Sequence, residues 1–364
     1  MKMLELEMLP AAEGDALLLT YGDTDDPHRI LIDGGRRSTY RHLRKRIEHI
    51  SVNGEGKRFF ELLIVTHVDA DHIEGIICLL QDEELNCEFG DIWFNDWNHL
   101  EPLVAGETPT HLGAAQGEFL GALLQAHQLP WNVRFDEGAV VLPPDPEPLP
   151  VRDFADGLQL TIVSPTIESL IELREEWTKV IEAAGFVPGN RDEAMQQFKD
   201  KAWSKIPRHL GDETVRKTLD HSEANGSSIA VLLDYEGIRL LLSGDAWPHV
   251  LRPSMDRWCA EQPNEPERVL LDAFKIPHHG SKKNVTPQLM ERIECPTYLI
   301  STSGSRFHHP DVDAIRIIID GHNGETEPEL LFNYRSDDND FWADQSSCDA
   351  LYEDDALLAY EVPD

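Results

Sequence analysis

Residues 66–72 read Thr-His-Val-Asp-Ala-Asp-His, so His67, Asp69, Asp71 and His72 set four metal-ligand side chains within six positions. Imidazole and carboxylate are ligands for Zn²⁺ and Mn²⁺. The stretch continues the apolar run 61–66 (ELLIVT), which predicts a buried strand, and it leads into a predicted helix, Ile73 to Gln81. Alternation puts His67 and Asp69 on one side of an extended loop. Asp71 and His72 then face elsewhere at the helix start, which suits two adjacent ions. Read as ordinary structure, the loop would simply be polar and Asp71 would cap the helix. Four ligand types behind one buried strand favour the metal reading.

Other stretches add to this chemistry. Asp245 follows Leu242-Ser243-Gly244 at a predicted strand end, where one carboxylate can reach two ions. His278 and His279 end another strand ahead of Gly280-Ser281. Two divalent cations roughly 3.5–4 Å apart can share one water, ionise it near neutral pH and clamp the attacking and leaving oxygens. Asp71 is the candidate to orient that water and accept its proton. His309, Ser281 and Lys282 are candidates to meet developing charge on a phosphate. Lys275, Lys282 and Lys283 read as a local positive island near the site or as ordinary solvated surface.

The motifs also have a familiar order. His67-x-Asp69-x-Asp71-His72 is similar to the His-x-His-x-Asp-His signature of the metallo-β-lactamase fold superfamily. An Asp in the second ligand place is typical there of the ComEC-like metallo-hydrolases, related to the extracytoplasmic nuclease domain of DNA-uptake proteins. Glu13-Gly14-Asp15, Leu31-Ile32-Asp33-Gly34-Gly35, Asn225-Gly226-Ser227-Ser228, Leu242-Ser243-Gly244-Asp245, Lys275-Ile276-Pro277-His278-His279-Gly280-Ser281 and His309-Pro310 resemble that group's other motifs in the right sequence. The matches span about residues 3–320.

The resemblance implies an α/β chain of four layers, an αββα sandwich with a binuclear site at one edge. It implies that Asp245 bridges the ions and that His279 is a ligand. Asp15, Asp33 and His278 become supporting residues or alternative ligands. One ion would take His67, Asp69 and Asp245, and the other Asp71, His72, Asp245 and His279. The superfamily usually supplies one more His. His99, His111, His127 and His221 lie in the interval, with His127 on a predicted amphipathic helix. An extra carboxylate in its place makes the first site oxygen-rich and favours Mn²⁺ alongside Zn²⁺. The group's Ser-x-Gly-x-x-Asn ahead of His-Pro is altered here: residues 301–310 read STSGSRFHHP, without that Asn, and Arg306 is a candidate replacement.

The elements that must position these residues alternate strand and helix. Strands are predicted at 3–9, 15–21, 29–32, 61–66, 90–95, 132–135, 139–142, 158–163, 228–234, 239–242, 269–276 and 298–301. Helices are predicted at 39–50, 73–81, 116–127, 246–261 and 311–320, and a short strand near 356–362. Residues 166–224 read as an inserted helical cap within a hydrolase domain of residues 1–335. Residues 336–364 form an acidic C-terminal segment with ten acids and no Lys or Arg.

Composition bounds the function. The 364 residues carry 67 Asp+Glu against 32 Lys+Arg, a formal net charge of −35. Such a surface repels polyanions outside any site that carries its own positive charge as metal. Five scattered cysteines without a C-x-x-C pair read as reduced thiols in a cytoplasmic protein. Glu5 and Glu7 interrupt what a signal peptide would need, and no apolar run is long enough to span a membrane.

The expected activity is that of a two-metal phosphodiesterase or nuclease on DNA or RNA. The alternatives are hydrolysis of a small ester, lactone, thioester or cyclic nucleotide, or a metal-stabilised sensor subunit of a multi-protein system, antiviral defence included. Cap or acidic segment would then dock a protein partner.

Overall fold

The computed structural model describes residues 1–100, 103, 114–183, 187–199, 222–322, 327–343, 345–352 and 356–362. Two large sheets dominate. The first has six strands in the order Leu357–Val362, Lys2–Met8, Leu17–Asp23, Asp26–Ile32, Leu62–Ile64 and Ile92–Trp93. The second has eight, in the order Asp349–Tyr352, Glu329–Phe332, Thr297–Ile300, Ala273–Lys275, Ile238–Leu242, Ala230–Tyr235, Gln159–Ser164 and Val151–Asp153. Each sheet is antiparallel in one part and parallel in the other.

Period-two alternation explains how the layers stack. Leu17, Leu19, Tyr21, Ile30, Ile32, Leu62 and Ile64 of the first sheet join Leu160, Ile162, Leu240 and Phe274 of the second in one apolar core. The intervening Leu18, Leu31, Leu63 and Val65 enter a separate cluster with helix residues Leu43, Ile47, Ile73, Ile76 and Leu120. The first sheet is therefore apolar on both faces, as a sheet covered by helices must be. Val250, Leu251 and Met255 of the Pro248–Glu261 helix and Ala314, Ile315 and Ile318 of the Val312–Gly321 helix pack into the core that holds the second sheet. The result is an α+β sandwich of helix, sheet, sheet and helix.

Three strand expectations fail for identifiable reasons. Residues 132–135 form a 3-10 turn, with Asn132 at φ 49° and Asp136 at φ 53°. Asn132 Oδ1 accepts from Phe94 N–H, and the Asp91 carboxylate accepts from the N–H groups of Val133 and Arg134. Polar side chains thus take bonds that a strand partner would have taken. Residues 139–142 contribute only an isolated bridge, Leu142 to Thr166. The run 269–276 divides: Val269–Leu270 pairs with Ile293–Glu294, and Ala273–Lys275 crosses into the second sheet.

The helix after the ligand loop runs Ala70–Leu79, three residues earlier than expected, so Asp71 and His72 lie in its first turn. It touches the Asp33-Gly34-Gly35 turn backbone to backbone: Gly34 N–H donates to His72 C=O at 2.9 Å and Gly75 N–H to Gly35 C=O at 2.8 Å. A β-carbon on Gly75 would stand 1.9 Å from the Gly34 carbonyl oxygen.

Within residues 166–224, the described helices are Ile167–Ala183, Arg191–Lys199 and Glu223–Gly226. Trp177 of the first is fully buried and donates from Nε1 to Glu118 of the Ala114–Ala126 helix at 2.9 Å. Gly189 N–H donates to the same Glu118 oxygen at 2.7 Å. Residues 200–221 of the expected cap, and with them His221, lie outside the described residues, as does His111. The acidic segment supplies one strand to each sheet, Asp349–Tyr352 and Leu357–Val362. All five cysteines are unpaired. Among the described residues no helix is long and apolar enough to cross a membrane.

Two stability measurements follow. Gly75→Ala must drive the helix off the Gly34 turn and should cost about 2 kcal/mol or more in chemical denaturation. Gly54→Ala, with open space around its site, should stay within about 0.5 kcal/mol of wild type. Burial pushes the Glu118 carboxyl up to about 7. A carboxyl raised on folding favours the protonated native state, so its contribution is present at low pH and fades as pH rises towards 7. The Tm of wild type relative to Glu118→Gln should therefore fall between pH 5 and pH 8, and a flat difference would refute the linkage.

Candidate metal centre

The parallel halves of both sheets send their C-terminal ends to one edge, where open α/β sheets place ligands. Asp33 follows Ile32 there, and His67 follows the Leu62–Ile64 strand. From the second sheet, Asp245 follows Leu242, His279 follows Lys275 and Ser301 follows Ile300. Asp15 arrives from the turn before Leu17.

The result is a ring of imidazoles around one carboxylate. His72 Nε2 lies 3.5 Å from Asp245 Oδ2, His279 Nε2 3.5 Å from Oδ1, and His67 Nε2 3.9 Å from Oδ2. His67 Nε2 also lies 3.8 Å from Asp69. Among the described residues four groups of three have the geometry to hold an ion: His67, His72 and Asp245; Asp71, His72 and His279; Asp15, Asp245 and His279; and Asp15, Asp33 and His72.

The opposite ring nitrogens are occupied. His72 Nδ1 sits 2.8 Å from Asp33 Oδ2, and His279 Nδ1 2.8 Å from the Ser301 carbonyl oxygen. Thr66 Oγ1 donates to Asp33 at 2.7 Å and lies 3.0 Å from His67 Nδ1. Ser228 Oγ lies 3.2 Å from the same His67 nitrogen and accepts from Asp245 N–H. An Nδ1 held by an oxygen leaves the Nε2 lone pair aimed inward, the usual arrangement behind a ligating histidine. Nε2 of His67, His72 and His279, with Asp245 Oδ1 and Asp15 Oδ1, is buried and lacks a hydrogen-bond partner among the described residues. Buried polar atoms seldom stay unpaired. These residues fit a divalent cation.

Charge points the same way. Asp15, Asp33, Asp69, Asp71 and Asp245 converge here, while Lys275 and Arg36 are the cations paired with or near them. Burial alone would raise the Asp245 carboxyl, but His279, His72 and His278 hold it well below the usual range. Burial and then Asp71 push Asp69 up to about 7. Burial pushes His67 down to about 3. For His72 burial works against the charged ring, yet Asp245 and Asp33 bring it well above its usual value. Protons on His72 and His279 balance the carboxylates in the way that bound cations would.

Of the remaining candidates, His278 is about a quarter exposed, with Nε2 3.8 Å from Asp245 Oδ2 and Nδ1 3.1 Å from both Asn225 and Asn284. His309 stacks edge-on to His278, ring centroids 5.8 Å apart. Ser281 is buried in the turn after His279, its N–H donating to the His278 carbonyl. Lys282 is more than half exposed, and its ammonium group lies 3.9 Å from Asp313. The expected lysine island does not form, because Lys275 is fully buried and ion-paired with Asp15. Arg306 contacts Glu13 at 3.2 Å. His99 is held 2.9 Å from Asp96, and His127 is exposed after its helix. Supporting roles for Thr66, Asn284 and Ser301 escaped sequence reading, since hydroxyl and amide side chains are too common to signal a role by type.

No family model matches the chain, and no curated protein matches it. Solved structures similar to it include a protein from Parabacteroides distasonis ATCC 8503 described as "putative metal-dependent hydrolase", 11% identical, TM-score 0.37, covering 96% of this chain and 93% of that chain.

Asp33→Ala removes the partner of His72 and, through Thr66, of His67. Its affinity for Zn²⁺ should fall about 10–100-fold in a chelator-competition titration. Unchanged affinity would show that the histidines do not depend on it.

Proposed function

We propose that the protein is a metal-dependent phosphodiesterase of the metallo-β-lactamase fold, ComEC-like, that cleaves nucleic acid with two divalent ions, Zn²⁺ or Mn²⁺. The observation that carries this is the set of inward, partnerless Nε2 atoms of His67, His72 and His279 around Asp245. Supporting it, all the motifs that resemble that group meet in space, although more than 250 residues separate Asp15 from His279 in the chain.

His67, Asp69, Asp71, His72, Asp245 and His279 would hold the ions, which when bound supply Lewis acidity and lower the pKa of water. The protein's own groups do the rest. Asp71, 4.0 Å from Arg36, accepts the proton of the attacking water. Asp33, Thr66, Ser228 and Ser301 keep the imidazoles oriented. His278, beside Asp245, and His309, edge-on to His278, meet the phosphate and its leaving oxygen. The acidic surface confines polyanions to this edge.

Protein loaded with Mn²⁺ or Zn²⁺ should cleave single-stranded or duplex nucleic acid, and its metal content should approach two per chain. His67→Ala and Asp71→Ala should each reduce cleavage to background. Persistent cleavage in both variants would overturn the site. Turnover of carboxyl esters but no phosphodiester would overturn the reaction class.

A further inference from the structure

A series of rings leads outward from the centre. His278 lies beside Asp245, His309 stands 5.8 Å from His278, and Phe307 stands 6.1 Å from His309, ring to ring. Phe307 is 47% exposed and ends the series at the surface. The guanidinium of Arg306 lies 5.0 Å from the Phe307 ring.

Single exposed apolar side chains need no explanation. Phe307 differs in its company. Among the described residues three phenylalanines are strongly exposed, Phe59, Phe307 and Phe341. Only Phe307 has a ring contact that continues to the lining of the candidate centre. Its loop is also fixed. Ser303 N–H donates to Ala12 C=O, His308 N–H to Gly304 C=O, and Asp311 N–H to Gly280 C=O. A ring presented by a fixed loop loses little freedom on binding a flat partner.

Arginine stands beside this ring although the chain carries −35. Glu13 is shared by Arg36 and Arg306, and Arg36 also lies 4.0 Å from Asp71, so two guanidinium groups meet two carboxylates here. An aromatic face flanked by arginine is how proteins hold single-stranded nucleic acid, the base stacking and the phosphate paired.

We propose that Phe307 and Arg306 form a base-stacking subsite, so that the substrate is an unpaired strand or nucleotide with a nucleobase next to the scissile phosphate. This rests on the phosphodiesterase reading. A duplex keeps its bases stacked on each other and offers no free face to Phe307.

The test is equilibrium binding to metal-loaded protein of fluorescein-labelled octathymidylate with phosphorothioate linkages. An abasic strand of equal length and charge is the comparison. Wild type should bind the thymidylate at least about fivefold tighter than the abasic strand. Phe307→Ala should abolish that preference, Phe307→Trp should keep it, and Phe341→Ala should leave it unchanged. Arg306→Ala should weaken both strands and flatten their salt dependence. Equal affinity of wild type for the two strands, or a preference that survives Phe307→Ala, overturns the subsite. Cleavage of unmodified DNA separates the two readings. A base preference without cleavage sinks the reaction and leaves the subsite; cleavage without a base preference does the reverse.

Discussion

The Asp33 carboxylate organises the edge of the sandwich. It accepts Thr66 N–H at 2.8 Å and the Thr66 hydroxyl at 2.7 Å, and it lies 2.8 Å from His72 Nδ1. It is fully buried, at φ 58°, in a turn that Gly34 and Gly35 continue. One side chain therefore fixes the end of the Leu62–Ile64 strand, the loop beyond it and two imidazole rings. A buried carboxylate with several donors is rigid because each alternative position abandons bonds in a place without water. The turn can sit this close to the Ala70–Leu79 helix because glycine faces glycine there.

Around this anchor the chain has gathered more carboxylate than a protein interior tolerates unaided. Lys275 answers Asp15 from within, and Arg36 stands near Asp71. Asp245, with Asp33 and Asp15, raises the pKa of the His72 and His279 rings against the effect of burial. Protons on those rings mark where positive charge is wanted. The −35 of the whole chain thus has two different origins: acids spread over the surface, and a small set folded inward around an electrophilic purpose.

What the sequence discloses is uneven, and the unevenness is physical. His67, His72, Asp245 and His279 were readable because ligand types at strand ends are rare, and the chain brings them together around Asp245. The layers were expected from the resemblance; LLLTY and LLIV, apolar without a break, mark strands buried on both faces. Ser301 and Asn284 were opaque as supports, since serine and asparagine occur everywhere in the chain. Lys275 was expected in a positive island beside the site, whereas it is buried against Asp15. The clue was its place between Phe274 and Ile276 in an apolar run, matched by Asp15 between Gly14 and Ala16. The strand expected at 132–135 fell to the side chains of Asn132 and Asp91, whose bonds no propensity foresees.

The pairing of Leu357–Val362 with Lys2–Met8 has a consequence for how the molecule comes into being. The register joins Lys2 to Val362, a contact order near the maximum this chain allows. The Ala12–Gly14 turn beside the candidate centre likewise bonds to Ser301, Ser303 and Tyr334. A chain emerging from the ribosome makes its first hairpin early, then holds an open strand edge for hundreds of residues. Such late, non-local closure is slow, and an open edge invites stray pairing. Glu5 is half-exposed and places charge on that open strand, whereas Glu7 is buried against Arg46.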